Sequence, residues 1–364
     1  MSIPERLLLG PGPSNPYPEV AEALARPLLG HLDPEFLALL DRTCDRLRAV
    51  FRTRNPLTLP VSGTGSAGME ACFVNLVERG DTVVVGVNGV FGERMCEVAR
   101  RGGAEVVRVE APWGRALDPQ RLLDARRDHP SARLVAVVHA ETSTGVENEI
   151  APLAVLQETD TLLLVDAVTS LGGIPVEVDA WGIDACYSGS QKCLGVPPGL
   201  APVTFSERAV ERIRTRPDAP QSWYLDLGLI GAYVGAERRY HHTAPTAMVA
   251  ALDAGLGALL SEGLDAAWAR HRAVGTALQV ALVGLGFTLL AEEGCRLPQL
   301  TAAGLPAGAD DRAWRGALLD RYGIEVGGGL GELAGRAWRI GLMGHSARPR
   351  SVAALVGALR EITA

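Results

Sequence analysis

The sequence of 364 residues is 47% hydrophobic and 21% charged, with a formal net charge of −7 and a pI near 5.6. This composition excludes a largely disordered chain and allows about two domains with a substantial hydrophobic core. The acidic balance argues against a nucleic-acid partner or an acidic membrane partner, because either would favour a basic surface.

Short β-rich runs alternate with helix-like segments through most of the chain. The predicted strands are Thr82–Val87, Glu105–Val109, Leu134–His139, Thr161–Val165, Ala185–Ser188 and Ala201–Phe205. The helices predicted between several of them are Ala67–Glu78, Gly92–Arg101 and Pro152–Glu158. This alternation predicts an α/β fold with a largely parallel sheet, helices on both of its faces, and ligands at the carboxyl ends of the strands.

The pattern changes in the last third of the sequence. Residues from Pro245 to about Ala281 predict two long helices broken near Gly263. After them we predict the strands Arg296–Leu300 and Trp338–Leu342 and the helices Asp310–Tyr322 and Pro349–Glu361. We therefore expect an N-terminal arm that wraps over the body (1–30), a large α/β domain (31–262), and a linker helix with a smaller C-terminal α+β domain (263–364).

The six cysteines contain no C-x-x-C pair, and most of them lie in apolar runs. This distribution is typical of reduced, packed thiols in a cytosolic protein, so we expect neither disulfides nor a metal site. The first residues lack the basic and apolar regions of a secretion signal, and no run of eighteen apolar residues occurs. We expect a cytoplasmic protein.

Lys192 is the only lysine among 35 lysine and arginine residues. An amine can lose its proton and attack a carbonyl group, whereas a guanidinium stays protonated. A position kept as lysine in such a chain therefore suggests chemistry that needs a nucleophilic amine, above all a Schiff base. Drift in an arginine-rich sequence is the alternative.

The segment Ser62–Gly68 contains a literal G-x-G-x-x-G. A dinucleotide site would also need an acidic residue at the end of the next strand, and the sequence Gly86-Val87-Asn88-Gly89 has none there, which argues against NAD. A glycine turn followed directly by a helix still offers free N–H groups and a positive dipole end to a phosphate. Ordinary N-capping of the helix by Ser66 is compatible with that role.

Asp166 ends a buried apolar strand, and Lys192 follows the strand that ends at Ser188. Both side chains should therefore lie at the same edge of the sheet. A buried Asp–Lys ion pair is one interpretation. The other is a pyridoxal 5′-phosphate site, in which Lys192 forms the Schiff base, Asp166 keeps the ring nitrogen protonated, the Gly63–Ser66 loop holds the phosphate and Phe91 covers one face of the ring.

Six motifs carry a family resemblance in this order along the chain: Gly63–Gly68, Asn88–Gly92, His139–Gly145, Val165–Val168, Ser188–Lys192 and Trp338–Gly341. Together they resemble the class V aminotransferases of the alanine–glyoxylate and serine–pyruvate or serine–glyoxylate branch, over about Leu9 to Leu359. The resemblance implies the fold-type I architecture, in which a large domain has a mostly parallel, seven-stranded sheet and a smaller C-terminal domain is α+β.

By this resemblance, Lys192 carries the cofactor and moves the proton, Asp166 pairs with the pyridine nitrogen, and Val168 packs on the ring face opposite Phe91. Thr142 would bind the phenolic oxygen of the ring. The phosphate contacts would come from Thr64, Gly65, Ser66 and Gln191. The sequence departs from some relatives at two of these positions, where they carry tryptophan in place of Phe91 and histidine in place of Ser66. Both differences preserve stacking or hydrogen bonding, so we expect cofactor binding to remain intact.

The resemblance also implies a homodimer in which Tyr240 and Thr243 reach the phosphate of the neighbouring subunit. Thr243 is at the same time a good helix N-cap residue, with Pro245 in the first turn. Arg339 would bind the substrate carboxylate with two hydrogen bonds, and its alternative is a surface arginine on an edge strand. The N-terminal segments around Gly12 and His31 would line the substrate pocket.

The expected reaction is a ping-pong transamination from a small L-amino acid, alanine or serine, to glyoxylate or pyruvate. An (S)-ureidoglycine–glyoxylate or phosphonate-type transaminase is the closest alternative, and His31 leaves a ureido-bearing donor open. A cysteine desulfurase would need a mobile reactive cysteine, for which Cys193 and Cys295 are the candidates. A non-catalytic pyridoxal-binding protein and an NAD-linked oxidoreductase are the alternatives of another class.

Overall fold

The computed structural model describes residues 3–363; Met1, Ser2 and Ala364, which the sequence-based domain bounds include, lie outside the described residues. The strands are β1 Leu7–Leu8, β2 Leu57–Ser62, β3 Thr82–Val87, β4 Glu105–Glu110, β5 Leu134–Val138, β6 Ala140–Glu141, β7 Val146–Glu147, β8 Leu162–Asp166, β9 Ala185–Tyr187, β10 Leu200–Phe205, β11 Thr288–Leu289, β12 Leu300–Gly304, β13 Ile324–Glu325, β14 Gly327–Gly328 and β15 Ala337–Gly341.

The helices are α1 Pro18–Leu24, α2 Pro34–Phe51, α3 Gly65–Leu76, α4 Val90–Arg101, α5 Pro119–Asp128, α6 Glu207–Thr215, α7 Leu227–Val234, α8 Thr246–Glu262, α9 Leu264–Gly284, α10 Asp311–Tyr322 and α11 Pro349–Thr363. Three 3₁₀ segments cover Ala151–Glu158, Gly331–Leu333 and Gly344–Ser346. Taken singly, no helix within residues 3–363 has the length and apolarity to cross a membrane, although the pair α8 and α9, bent by 85°, passes that test when the two are joined.

A seven-stranded sheet in the order β2-β10-β9-β8-β5-β3-β4 forms the centre of the molecule. Strands β4, β3, β5, β8 and β9 pair in parallel, and β10 runs antiparallel to both of its neighbours. The predicted largely parallel sheet is confirmed. Its central strands β5 and β8 are buried at every position, because helices cover both faces and the strands carry Leu and Val on both sides.

Strand β2 was missed by the sequence reading. Its sequence contains Pro60, which provides no backbone N–H donor to a sheet ladder. The structure places β2 at the edge of the seven-stranded sheet, where it pairs with β10 alone.

A second sheet lies in the C-terminal third, with the antiparallel order β11-β12-β15-β14. The predicted strand Arg296–Leu300 is wrong, since β12 begins only at Leu300. The pairing with β15 sets the bounds of β12, because Leu300 to Gly304 lie opposite Gly341 to Ala337. Around this sheet a separate apolar cluster includes Leu9, Phe287, Trp338 and Leu355.

The predicted N-terminal arm contains regular secondary structure, namely β1 and α1. Strand β1 pairs in parallel with β13, so the chain begins against the C-terminal region. Helix α1 then packs on α8, and Val20 is fully buried between them. Between these elements, the backbone N–H of Ser14 donates to the carbonyl oxygen of Gln191 at 3.0 Å. The first segment therefore crosses directly over the loop that carries Lys192.

Candidate active site

The carboxyl ends of β2, β3, β5, β8 and β9 meet at one edge of the large sheet, as parallel pairing requires. The loops that follow these strands enclose a cavity of about 210 Å³. The cavity is lined by Thr64, Gly65, Ser66, Met69, Phe91, Arg94, Ala140, Thr142, Asp166, Val168, Thr169, Tyr187, Gln191 and Lys192. Most of the site residues that we predicted from the sequence therefore share one cavity.

Lys192 follows β9 and is nine-tenths buried, with an exposed fraction of 9%. Its Nζ donates a hydrogen bond to the carbonyl oxygen of Pro11, and the Ser14 hydroxyl donates to the Lys192 carbonyl at 2.9 Å. Burial, assisted by the positive charge of Arg339, lowers the pKa of the Lys192 amine to about 8. At neutral pH a larger fraction of this amine is therefore neutral than in an exposed lysine, although the protonated form still predominates below pH 8.

Gly12 lies against the lysine side chain. A Cβ atom at this position would lie 2.7 Å from Lys192 Nζ, and the φ angle of Gly12 is +111°, a region that favours glycine. The N-terminal segment therefore packs directly against the Lys192 side chain. From the sequence we predicted that Gly12 binds the substrate.

Asp166 is the last residue of β8 and is 3% exposed. Its Oδ1 accepts a hydrogen bond from the Val168 backbone N–H at 2.8 Å, and its Oδ2 accepts one from the Tyr187 hydroxyl at 2.7 Å. Burial raises the pKa of Asp166 to about 6, and these donors oppose the rise by stabilising the ionised form. Within residues 3–363 no Asp166–Lys192 salt bridge forms, so the ion-pair interpretation is not supported.

Tyr187 was not singled out from the sequence. It lies on β9 directly opposite Asp166, and only the register between β8 and β9 brings the two side chains together. Arg94 was missed as well. It lies three residues after Phe91 on α4, and its guanidinium carbon is 4.9 Å from the centre of the Phe91 ring. The i, i+3 spacing on a predicted helix was the available signal for Arg94.

The glycine-rich loop enters α3 two residues earlier than predicted. Helix α3 begins at Gly65, so Thr64 occupies the N-cap position without a side-chain cap, and Ser66 lies in the first turn. The Ser66 N-cap interpretation is therefore wrong. The first N–H groups of a helix have no partner within it. These amides and the hydroxyls of Thr64 and Ser66 border the cavity and could hold a phosphate.

Gly65 also allows a close approach between this loop and the strand β8 region. A Cβ atom there would lie 2.9 Å from Cγ2 of Val168. Val168 and Phe91 both border the cavity, at the ends of two different strands. Thr142 borders it from the turn between β6 and β7. Gln191 borders it beside Lys192, with its side-chain oxygen buried and unpartnered in the described chain.

Arg339 lies on β15, which pairs with β12 on one side and β14 on the other, so the edge-strand interpretation is wrong. Its Nε donates to the Gly328 carbonyl at 2.9 Å. Arg339 lies outside the residues that line the cavity, but its charge helps to lower the pKa of Lys192. It therefore lies within electrostatic range of the lysine.

Tyr240 and Thr243 are not brought into the cavity. Tyr240 is 56% exposed, and its hydroxyl lies 3.4 Å from the Thr243 hydroxyl. Helix α8 begins at Thr246 with Pro245 at the N-cap position, so Thr243 is not the N-cap. Neither residue is among those that line the cavity, although His242 between them lies 2.9 Å from the Ser62 hydroxyl, just before the glycine-rich loop.

The cavity residues fit pyridoxal 5′-phosphate. The site combines a buried amine, a buried carboxylate held by two donors, an aromatic ring at one wall and unpartnered helix amides at one end. The amine can react with the aldehyde of this cofactor, and the carboxylate can pair with its ring nitrogen. The aromatic side chain can stack on its flat ring, and the helix amides can bind its phosphate.

Comparison with known proteins gives a consistent result. Residues 17–334 match the model of the family described as aminotransferase class-V. The sequence is 36% identical to the (S)-ureidoglycine–glyoxylate transaminase of Bacillus subtilis, covering 100% of this chain and 91% of that protein. It is 39% identical to the alanine–glyoxylate aminotransferase of Drosophila melanogaster, covering 99% and 92% of the two chains. The crystal structure of an alanine–glyoxylate aminotransferase from Nostoc sp. superposes with a TM-score of 0.97 and 47% identity, covering 100% of this chain and 97% of that one.

Proposed function

The chain belongs to the class V aminotransferase family, whose members are pyridoxal-phosphate-dependent transferases, and we propose that it moves the amino group of alanine or serine to glyoxylate or pyruvate. One observation carries the proposal: the only lysine of the chain is buried in the same cavity as Asp166 and the amino end of α3. The NAD-linked alternative is wrong, because the family and its relatives are aminotransferases.

We propose that Lys192 would hold the cofactor covalently through its amine. Asp166 would hold the ring nitrogen, Phe91 and Val168 would face the ring, and Thr142 would bind its phenolic oxygen. Thr64, Gly65, Ser66 and Gln191 would contact the phosphate. When bound, pyridoxal phosphate supplies an electron sink for the charge that develops as the Cα–H bond of the substrate breaks.

The remaining chemistry belongs to residues of this chain. The low pKa of Lys192, about 8, makes a neutral amine available that would accept the proton from the substrate Cα and deliver it to the C4′ carbon of the cofactor. Tyr187 and the Val168 N–H fix the orientation of the Asp166 carboxylate. Arg339 orients the substrate by its carboxylate, because a guanidinium can bind both oxygens at once. The Pro11–Gly12 segment shields the amine from water.

The amino donor is the open part of the proposal. Alanine–glyoxylate and ureidoglycine–glyoxylate enzymes are similar to this chain over nearly its full length. We favour alanine or serine, and keep a ureido-bearing donor as the second candidate because the 36% identical B. subtilis relative carries that name. A donor panel of alanine, serine and ureidoglycine, each with glyoxylate and with pyruvate, decides between them.

The expected result is the largest kcat/KM for alanine or serine. A preference for ureidoglycine by more than about a hundredfold would establish the alternative, since a pocket that pairs polar substrate groups discriminates at least that strongly. Failure of every donor, with cofactor bound, would contradict the transaminase proposal. The reaction can be followed by the keto acid formed in each half of the cycle.

We further propose a homodimer in the cytoplasm, in which Tyr240 and Thr243 complete the site of the partner subunit. The support is their position, exposed and outside the cavity lining of their own chain. His31 accompanies them, because its ring centre lies 5.3 Å from that of Tyr240 and its carbonyl accepts a hydrogen bond from Tyr233.

A further inference from the structure

Helix α4, which carries Phe91 in its first turn, has an unusual N-terminal cap. Its N-cap residue is Gly89, which has no side chain to accept the first N–H groups. Helices usually obtain such a cap locally, from Ser, Thr, Asp or Asn at that position. Here the acceptors come from Glu141 and Ser143, about fifty residues later in the sequence.

Glu141 is fully buried and accepts four hydrogen bonds. Its Oε2 accepts the backbone N–H groups of Phe91 at 3.0 Å and Gly92 at 3.3 Å. Its Oε1 accepts the backbone N–H of Ser143 at 3.0 Å and the Ser143 hydroxyl at 2.6 Å. Burial raises the pKa of Glu141, and the four donors on its two oxygens oppose the rise by favouring the ionised form.

Ser143 extends this cap to the first residue of the helix. Its hydroxyl oxygen accepts the Val90 N–H at 3.0 Å while its proton goes to Glu141. The first three N–H groups of α4 therefore all end on the Glu141–Ser143 pair. Gly89 is required for this approach, because a Cβ atom there would collide with the Ser143 hydroxyl and the Glu141 side chain.

The residue between Glu141 and Ser143 is Thr142, which lines the cavity as Phe91 does. The side chain of Glu141 thus binds the backbone at Phe91, and the next residue in the chain is Thr142, which lines the cavity at another point. A buried carboxylate is costly compared with a local serine cap, so helix stability alone does not explain this arrangement. Capping by Glu141 and Ser143 also fixes the distance between Phe91 and Thr142, which a local serine cap would not do.

We propose that Glu141 is a positioning residue for the cofactor: through its hydrogen bonds to Phe91, Gly92 and Ser143 it sets the width of the slot in which the pyridoxal ring lies. The inference rests on the proposed function. It does not place Glu141 in contact with the cofactor or the substrate. Its consequence is that Glu141 controls the affinity and orientation of the cofactor more strongly than it controls folding.

The test compares the wild type with Glu141→Gln, Ser143→Ala and a matched control, Asp184→Asn. Asp184 is equally buried and accepts the Leu163 N–H at 3.0 Å and the Ser206 hydroxyl at 2.7 Å, but it precedes β9 at the opposite edge of the sheet. Three quantities are measured: the Kd of pyridoxal phosphate for the apoenzyme, the visible circular dichroism per bound cofactor, and the thermal midpoint of the apoenzyme.

We expect Glu141→Gln to raise the cofactor Kd by about tenfold or more, because an amide nitrogen then faces two of the four donors. The visible circular dichroism per bound cofactor should change with it. Ser143→Ala should shift both in the same direction by less, and it carries the test if Glu141→Gln does not fold. Asp184→Asn should lower the thermal midpoint and leave the Kd within about twofold.

The inference is overturned if Glu141→Gln and Ser143→Ala leave the Kd and the dichroism unchanged, whatever their thermal midpoints. It is equally overturned if Asp184→Asn raises the Kd as much, because the effect would then be general destabilisation. Wild-type protein that takes up no cofactor would reject the proposed function and this inference together. A tightly binding wild type beside an unaffected Glu141→Gln variant would reject the inference alone.

Discussion

The cavity edge of the large sheet and the segment from Tyr240 to Thr243 differ in where their polar groups find partners. At the cavity edge, Asp166 has two hydrogen-bond donors and Lys192 has an acceptor, all within this chain. In the other segment, Tyr240 is more than half exposed. His241 is 7% exposed, and both of its ring nitrogens lack partners in the described part of the chain.

Buried polar groups in folded proteins are nearly always hydrogen-bonded, and the two ring nitrogens of His241 depart from that pattern within residues 3–363. His241 is instead surrounded by rings: Trp223, itself 63% exposed, lies edge-on to it at 4.3 Å. One chain is therefore enough to bring Lys192 and Asp166 into one cavity. The segment at Tyr240, by contrast, leaves the ring nitrogens of His241 unpartnered in the described chain, and its His242 Nε2 lies 2.9 Å from the Ser62 hydroxyl.

The largest expected effect lies at the cavity edge. Lys192→Arg should reduce transamination by roughly 10³-fold or more, because the guanidinium keeps the charge but can neither attack the aldehyde nor move a proton. Steady-state turnover with saturating cofactor measures it. Borohydride treatment of the wild-type holoenzyme, followed by peptide mapping, should place the label on Lys192.

Arg339→Lys is the control for this exchange. It also preserves the positive charge, but it replaces a planar guanidinium by a single ammonium group. It should raise the KM for the amino acid by about tenfold and retain much of kcat, because the bidentate contact is lost but the amine at Lys192 remains. Turnover by Lys192→Arg at the level of Arg339→Lys would refute the role of the lysine.

The second effect tests the partners of Asp166. Asp166→Asn should lower kcat by about a hundredfold, because the neutral amide no longer stabilises a protonated ring nitrogen. Tyr187→Phe removes one hydrogen bond and should lower kcat by about tenfold. Equal losses in the two variants would mean that the hydroxyl, rather than the carboxylate charge, is the decisive group.

The third effect is a pH dependence of stability in the apoenzyme. Burial lowers the pKa of Lys192 from 10.5 to about 8, so between these values the unfolded chain binds more protons than the folded one. Stability should therefore rise with pH across this window, by up to about 3 kcal/mol from this group. Below pH 8 the cost of burying a protonated amine is fully present.

Lys192→Met lacks this titration and is the matched variant. The difference in unfolding free energy between Lys192→Met and the wild type, measured by denaturant at several pH values from 7.5 to 10.5, should shrink as the pH rises. A difference that stays constant would show that the buried lysine does not titrate in this range.

The smallest expected effect tests the other region. A chain with Tyr240→Phe and Thr243→Ala should bind the cofactor about tenfold more weakly, through lost hydrogen bonds to the phosphate. In a hybrid dimer with a Lys192→Arg chain, one site combines an intact Lys192 with the partner's intact Tyr240 and Thr243. Differently tagged chains allow the hybrid to be isolated and its turnover measured.

If the segment acts across the interface, the hybrid should recover about half of the wild-type activity with native cofactor affinity, as two-fold symmetry requires. A hybrid whose active site keeps the weakened affinity would show that Tyr240 and Thr243 act within their own chain. A monomer with full activity would contradict the shared site.

The fold could be predicted where local signals agree. Thr82–Val87 is a strand at the predicted bounds, because a run of β-branched residues is flanked by turn residues on both sides. The prediction failed where pairing overrides local sequence, as at β2 with its internal proline and at β12 with its small residues. The α8–α9 break at Gly263 was predictable from the glycine itself.

For the site, the sequence by itself determined which chemical groups are available and at which edge they lie. A single lysine, an aspartate at a strand end and a glycine loop before a helix are local features, and parallel strands carry their carboxyl ends to one edge. The tertiary structure alone decided that Tyr187 holds Asp166 and that Glu141 holds the helix of Phe91. Those contacts join residues distant in sequence, and hydrogen bonding and pKa depend on separation and burial in space, which no local pattern encodes.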